Sequence, residues 1–392
     1  MKYYIIAGEA SGDLHGSNLM KGIYAEDAEA DVRFWGGDLM DAVYREHQNG
    51  DGYVHNYKDE AIMGFVEVLK SAGVLLRNLK ACKQDIASWK PDVVILIDYP
   101  GFNFRIAEFA HKAGFKTFYY IAPKVWASRE GRIRKLKKYV DQLFIVFPFE
   151  KNYFDAKGVS YIYKGNPLVD AIDFSEAANE SKEDFCRRNG LVPKPIIALL
   201  AGSRPAEIST MMPVLLEMAK KMHATPQYAD YEFLIAGAPA RSMSDYSKYI
   251  EKAGGEELSY VKVIFGQTQN IIRHAEAAVV NSGTASLETA LLGTPQVVGY
   301  ITGSRLTYLI AKHIVKIKYI SLGNLIINRL AFKELIQDDC NADDLAKEVR
   351  QLIENEEYRQ NMLSEYACIR HELGGQGASR AVAKAMIQEL HK

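Results

Sequence analysis

Short β-rich runs alternate with amphipathic segments in two successive series, a pattern suited to parallel strands joined by crossover helices. In the first series Tyr3–Ala7, Val32–Trp35, Val93–Ile97, Lys116–Ile121 and Leu143–Phe147 read as strands, with Phe65–Leu79 and Asn103–Ala113 among the helical stretches between them. The pattern stops near Gly165-Asn166-Pro167. A polar stretch, Ser175–Pro195, is rich in Glu, Lys and Asn, is closed by two prolines, and reads as a domain boundary. The second series runs through Ile196–Ala201, Glu232–Ala236, Val261–Phe265, Ala277–Val280 and Gln296–Tyr300. From about Ala342 onward only helical periodicity remains. The 392 residues exceed what one hydrophobic core usually serves. The expectation is an α/β chain of two doubly wound, Rossmann-like domains, 1–172 and 173–392, with a helical C-terminal tail in the second. Ligands of open α/β sheets bind beyond the carboxyl ends of the strands, so the motifs should gather in a cleft between the domains.

Composition narrows the class. Hydrophobic residues at 48% and charged residues at 25% are ordinary globular values, and a formal net charge of −1 gives no whole-chain case for nucleic acid. Cys82, Cys186, Cys340 and Cys368 form no CxxC pair and read as reduced, mostly buried thiols. Met1-Lys2 runs directly into a strand-like YYIIAG, and no apolar stretch approaches the length of a membrane span. A soluble cytoplasmic protein is expected, with any membrane contact peripheral.

The most informative corner is Ala278–Tyr300. An apolar run ends in Asn281-Ser282-Gly283-Thr284, a helical segment carries Glu288, and Gly293-Thr294-Pro295 leads into another apolar run. The turn leaves unpaired N–H groups at a helix start, where a phosphate is welcome, and Glu288 is near enough to accept from a ribose hydroxyl. A parallel corner follows IIALLAG. There Pro205 suits the first helical position and Glu207 can bond back to the helix start, which leaves Gly202, Ser203 and Arg204 to be explained. A glycine turn with an arginine at a helix N-terminus suits a diphosphate.

In the first half, strand YYIIAG ends in GEASGD and then His15. The glycines do not match GxGxxG, and Ser11 or Asp13 can cap a helix there. Even so, Glu9, Ser11, Asp13 and His15 at one strand end are more polar groups than a cap requires. Asp98 follows a fully apolar strand in PDVVILIDYPGFN. It either serves as a general base facing a ligand or caps the turn before Pro100, with Asn103 capping the next helix. Arg129, Arg132, Arg134, Lys135, Lys137 and Lys138 make a basic helix beside Val125 and Trp126, either a solvated face or a surface for anionic lipid or a phosphorylated substrate. Ser321, Asn324 and Arg329 lie in a loop after the basic segment Lys312–Lys318. There is no GxxxxGK[ST], no D-x-D, no HExxH, no Cys/His cluster and no GxSxG. A P-loop NTPase, a carboxylate-bound metal nucleotide site, a zinc site and an α/β-hydrolase are disfavoured accordingly.

Taken in order, GEASGD, MGFVEVL, IDYPGFN, APKVWASR, FPFEKNYF, GNPLVD, LLAGSRPAEI, NSGTASLE, VVGY and SLGNLI resemble the lipid-A-disaccharide synthase family over nearly the whole chain. The resemblance implies a metal-free, inverting GT-B glycosyltransferase with no cofactor beyond its UDP-sugar donor. It implies transfer of 2,3-diacylglucosamine from UDP to 2,3-diacylglucosamine 1-phosphate, giving the β-1,6-linked disaccharide 1-phosphate and UDP. The C-terminal domain would hold the donor and the N-terminal one the acceptor. Gly202, Ser203, Arg204, Ser282, Gly283 and Thr284 would then cradle the diphosphate, Glu288 the ribose, and Asn324 the nucleotide or donor sugar. Arg204 would stabilise the leaving group and Asp98 would be the base, with Glu9 the runner-up. Gly101 stands where some relatives carry a second Asp, and Gly323 where a proline is often found. Peripheral contact with the inner face of the inner membrane, through MGFVEVL and the Trp126 segment, follows from acylated substrates. Family members can form homodimers with exchanged C-terminal segments, which suits the long helical tail of this chain. A UDP-sugar epimerase of the same fold and a non-catalytic UDP-sugar-binding module are the competing readings.

Overall fold

The runs that are apolar at every position become interior strands, because only a strand covered on both faces can bury them. A computed structural model describes residues 1–57, 68–126, 130–281, 283–302 and 318–392. Seven parallel strands form one sheet: β1 (Lys2–Ala7), β2 (Asp31–Gly36), β3 (Tyr53–Asn56), β4 (Val93–Ile97), β5 (Lys116–Tyr120), β6 (Gln142–Ile145) and β7 (Tyr161–Tyr163). Their spatial order is β3-β2-β1-β4-β5-β6-β7. The second sheet holds β8 (Ile196–Leu200), β9 (Glu232–Gly237), β10 (Val261–Phe265), β11 (Ala277–Asn281), β12 (Gln296–Tyr300) and β13 (Glu334–Ile336), in the order β10-β9-β8-β11-β12-β13. Both sheets are doubly wound, and each reverses direction once, between β1 and β4 and between β8 and β11. β4, β8 and β11 are buried at every residue.

The chain divides into two compact units, Met1–Ala171 with Leu373–Lys392, and Ile172–Glu372. The division falls beside the polar stretch Ser175–Pro195, whose helix Lys182–Arg188, capped by Ser181 through Asp184 N at 3.1 Å, drives Phe185 and Cys186 into the second core. The tail does not belong wholly to the second domain. Helix Ala378–Leu390 packs on helix Ala10–Glu26, and a Cβ on Gly22 would lie 3.0 Å from Arg380 Cα and 3.1 Å from Ala383 Cβ. Asp170, buried, fixes the start of that last helix by accepting from Gly377 N at 2.7 Å and Ser379 N at 2.8 Å. The four cysteines are free thiols, and all but Cys368 are buried. Among the described residues no helix is long and apolar enough to cross a membrane.

Glu150, in the FPFE turn, is fully buried and accepts from Val146 N, Phe147 N and Trp126 Nε1 at 3.2, 3.0 and 3.2 Å. Burial outweighs these bonds and pushes its carboxyl up to about 7.

Two predictions follow from these carboxylates. Asp170→Ala should cost about 1–2 kcal/mol by uncapping the last helix, and should speed amide exchange within 378–390 before the rest of the first unit. Unchanged exchange there would show that the helix is held by packing alone. For Glu150 the folded pKa exceeds the unfolded one, so its contribution is greatest below the unfolded value of about 4.3 and is lost as pH rises to about 7. The Tm difference between Glu150→Gln and the parent should therefore move in the variant's favour from about pH 5 to about pH 8. A difference independent of pH refutes that assignment.

Candidate active site

The second unit builds its rim where β8 and β11 lie side by side, with Leu200 opposite Val280. Past β8 the backbone turns at Gly202, whose φ of +99° suits glycine. A Cβ there would meet Asn281 Nδ2 at 2.5 Å and Glu207 Oε2 at 2.6 Å, so the two corners close on each other only because residue 202 has no side chain. Ser203 and Arg204 then lead into helix Pro205–His223, with Pro205 in its first turn as the sequence implies. Glu207 does bond back: its Oε2 accepts from Ser203 N at 3.0 Å and Arg204 N at 3.1 Å. Its Oε1 lies 3.4 Å from Arg204 Nη1, yet the arginine side chain remains 71% exposed.

After β11, Gly283 precedes helix Thr284–Leu292 and Thr284 is exposed at its first turn; Ser282 lies outside the described residues. Glu288 is partly exposed and accepts from Gln269 Nε2 at 2.9 Å, a bond that also holds it beside helix Thr268–His274. Burial keeps its carboxyl above the ordinary range despite that bond. Asn281, the last residue of β11, is 4% exposed and has neither amide atom bonded among the described residues. In the sequence Asn281 stands only as the first residue of the turn Asn281-Ser282-Gly283-Thr284. Because β11 is buried at every residue, alternation along it does not single Asn281 out.

Asn324 is fully buried, and its Nδ2 donates to Phe332 O at 3.0 Å and Glu334 Oε1 at 2.8 Å. Its Oδ1 accepts from Ala331 N at 2.8 Å and Phe332 N at 3.3 Å. The amide holds helix Leu322–Ile327 to the approach to β13.

The first unit builds its rim where β1 and β4 lie side by side, with Ala7 opposite Ile97. Gly8 and Asp98 therefore leave the sheet as neighbours. A Cβ on Gly8 would lie 2.2 Å from the Tyr99 ring, so glycine is needed for that contact. Glu9 is exposed at the start of helix Ala10–Glu26 and makes no side-chain cap. Asp98 and Tyr99 have φ of +42° and +45°, two successive non-glycine residues in the left-handed region. Such strain persists only where the surroundings enforce it, and it concentrates at functional sites. The enforcement is visible: Asp98 O accepts from Tyr119 OH at 2.6 Å and Asn103 Nδ2 at 2.9 Å, and Asp98 N donates to Tyr120 O at 3.1 Å. Asn103 therefore does not cap the following helix, which begins at Pro100, but pins the end of β4 from inside its first turn.

Of the polar cluster in GEASGD and His15, only Glu9 and Ser11 are exposed. Asp13 is buried and accepts from Gly37, Leu39 and Met40 amides at 2.9, 3.2 and 3.0 Å, capping helix Asp38–His47. Burial pushes His15 down to about 4, which keeps it neutral at physiological pH. The basic helix Ile133–Tyr139 buries Ile133, Leu136 and Tyr139 and exposes Arg134, Lys135, Lys137 and Lys138. Arg132 leaves that face and covers the Phe104 ring at 5.7 Å. Val125 is buried, and Trp126 is held by Glu150 and edge-on to Phe149 at 4.9 Å, so neither is a loose anchor. Arg129, the part of MGFVEVL before Val68 and the basic segment before Lys318 lie outside the described residues. Among the described residues no cluster of His, Cys, Asp and Glu could hold a metal ion.

The chain is similar in fold to S. aureus MnaA solved with UDP, at TM-score 0.72 and 14% identity, covering 100% of this chain and 97% of that one. The UDP-GlcNAc 2-epimerase of Neisseria meningitidis bound to UDP-GlcNAc is equally similar, at TM-score 0.72, 14% identity and coverage of 99% and 100%. Identity so low establishes the fold and nothing about the reaction. Sequence relatives are more specific. The lipid-A-disaccharide synthase of Geobacter metallireducens is 35% identical over 389 residues, 99% of this chain and 97% of that protein. That of Coxiella burnetii, strain Dugway, is 32% identical over 383 residues, 97% and 96% of the two. The family model described as lipid-A-disaccharide synthetase matches residues 3–387. With two doubly wound sheets, a motif-bearing rim on each and this match over nearly the full length, the chain belongs to the lipid-A-disaccharide synthase family, GT-B glycosyltransferases of lipid A biosynthesis.

Proposed function

We propose that the second unit's rim binds UDP-2,3-diacylglucosamine and the first unit's rim binds 2,3-diacylglucosamine 1-phosphate. One observation carries this reading. The accessible candidates lie at carboxyl ends of strands at the two switch points: Glu9 and Asp98 on one rim, Ser203, Arg204 and Thr284 on the other. Asp98 takes the proton of the acceptor's 6-hydroxyl. The oxygen attacks the donor's anomeric carbon from the face opposite UDP, and the carbon–oxygen bond to the diphosphate breaks as the β-1,6 bond forms. The exposed Arg204 guanidinium meets the charge that develops on the departing diphosphate, in the role a metal fills elsewhere. Glu288 holds the ribose.

Membrane contact belongs to the same reading, since both substrates are acylated. The exposed basic face Arg134, Lys135, Lys137 and Lys138 supports it. So does a groove between helices Val68–Trp89 and Pro100–Lys112, where Leu76 is 65% exposed beside Lys80, Lys83 and Arg105.

The reaction is tested by supplying the donor alone and then with acceptor: disaccharide and UDP should form only in the second case. Asp98→Asn should lower turnover about a hundredfold or more while UDP affinity stays within about twofold. Arg204→Ala should weaken UDP binding and turnover together by about tenfold. Sugar isomerisation without acceptor would replace this reading with the epimerase, and full turnover by Asp98→Asn would remove it as the base. For the membrane, Arg134→Gln, Lys135→Gln and Lys138→Gln combined should reduce binding to phosphatidylglycerol vesicles about tenfold or more. Binding that ignores both these changes and added salt would exclude an electrostatic contact.

A further inference from the structure

The amides assigned above to the donor's diphosphate are not vacant. Glu207 Oε2 accepts from both Ser203 N and Arg204 N, at 3.0 and 3.1 Å. A carboxylate and a phosphate cannot share those two donors, because like charges at hydrogen-bond range repel. Asn281 has the converse problem. It is 4% exposed, and neither its Nδ2 nor its Oδ1 has a partner among the described residues, a costly state for a buried amide. The two defects face one another. The point where a Gly202 Cβ would stand is 2.5 Å from Asn281 Nδ2 and 2.6 Å from Glu207 Oε2, so the two groups come close with no side chain between them.

We propose that Glu207 is a resident anion of the diphosphate cradle, and that Asn281 receives its carboxylate when the donor binds. The inference rests on the donor-site reading above. Phosphate oxygens take over the Ser203 and Arg204 amides and the Arg204 guanidinium. The displaced carboxylate rotates across the gap at Gly202 and accepts from Asn281 Nδ2. Before binding, one buried amide is unpaired; after it, both backbone donors, the carboxylate and Asn281 Nδ2 are paired. The exchange also sets a threshold of charge, since a ligand must out-compete a carboxylate already in place. A nucleoside diphosphate therefore gains more from the cradle than a monophosphate does.

The experiment is calorimetric titration of UDP into the parent, Glu207→Gln, Asn281→Leu and the double variant, with Tm recorded for each. Glu207→Gln should bind UDP about tenfold tighter, because a neutral occupant is displaced without charge repulsion. Asn281→Leu should bind about tenfold weaker, because the displaced carboxylate finds no donor. In the double variant the loss at position 281 should shrink to about threefold or less, the signature of two residues that act on each other. If leucine does not fold at 281, Asn281→Ala carries the same expectation. Glu207→Gln binding no tighter than the parent overturns the handover, as does an unchanged affinity at 281 or two effects that multiply independently. A parent that binds no UDP removes the donor-site reading and the handover together. A parent that binds UDP, with variants that do not shift as stated, removes the handover alone.

Discussion

The two reversals of strand order, β1 against β4 and β8 against β11, are the constraint on which the chemistry of this protein depends. Strands buried on both faces cannot carry polar side chains along their length, and β4 and β8 do not. Functional groups are therefore confined to strand ends. Crossovers that run outward in both directions from the first strand separate the turns that follow it, and that separation is what leaves room for a ligand. The strained Asp98–Tyr99 step and the Gly202 turn both sit at such a place.

Helix starts at and near these rims present backbone amides, and the chain answers many of them with its own carboxylates. Asp13, Glu150, Asp170, Glu207 and Glu334 each accept from two or more main-chain N–H groups. Asp13, Glu150 and Asp170 are buried, which makes them permanent parts of the scaffold. Glu207 differs in sitting at the surface of the second unit's rim, beside an exposed arginine. The same bonding pattern thus occurs both inside the protein and at its edge.

Strands with a run of apolar residues were legible in the sequence: Val93–Ile97, Val261–Phe265 and Gln296–Tyr300 form with the expected bounds. The short strands Tyr53–Asn56, Tyr161–Tyr163 and Glu334–Ile336 were not, since they lie at sheet margins, are half-exposed for the most part, and have no apolar run to announce them. Among site residues, glycine corners and the arginine after β8 stood out, whereas amides did not. Asn324 and Asn281 are both buried asparagines, yet one has both side-chain amide atoms engaged and the other has neither engaged among the described residues. That difference lies in which segment folds against each side chain. A linear pattern does not carry it. Asp13 makes the same point, since the helix it caps starts far along the chain from its own.

The last helix, packed on the first unit, means that this unit is written in two pieces with the whole of Ile172–Glu372 translated between them. At ribosomal speeds of about 5–20 residues per second, that interval is on the order of ten seconds or more. Throughout it, the face of helix Ala10–Glu26 around Gly22 waits without its cover, and the buried carboxylate of Asp170 waits without its two amides. The second unit has no such dependence and can mature as it emerges. The order of assembly on the ribosome therefore inverts the order of the chain: the half synthesised second is the half completed first.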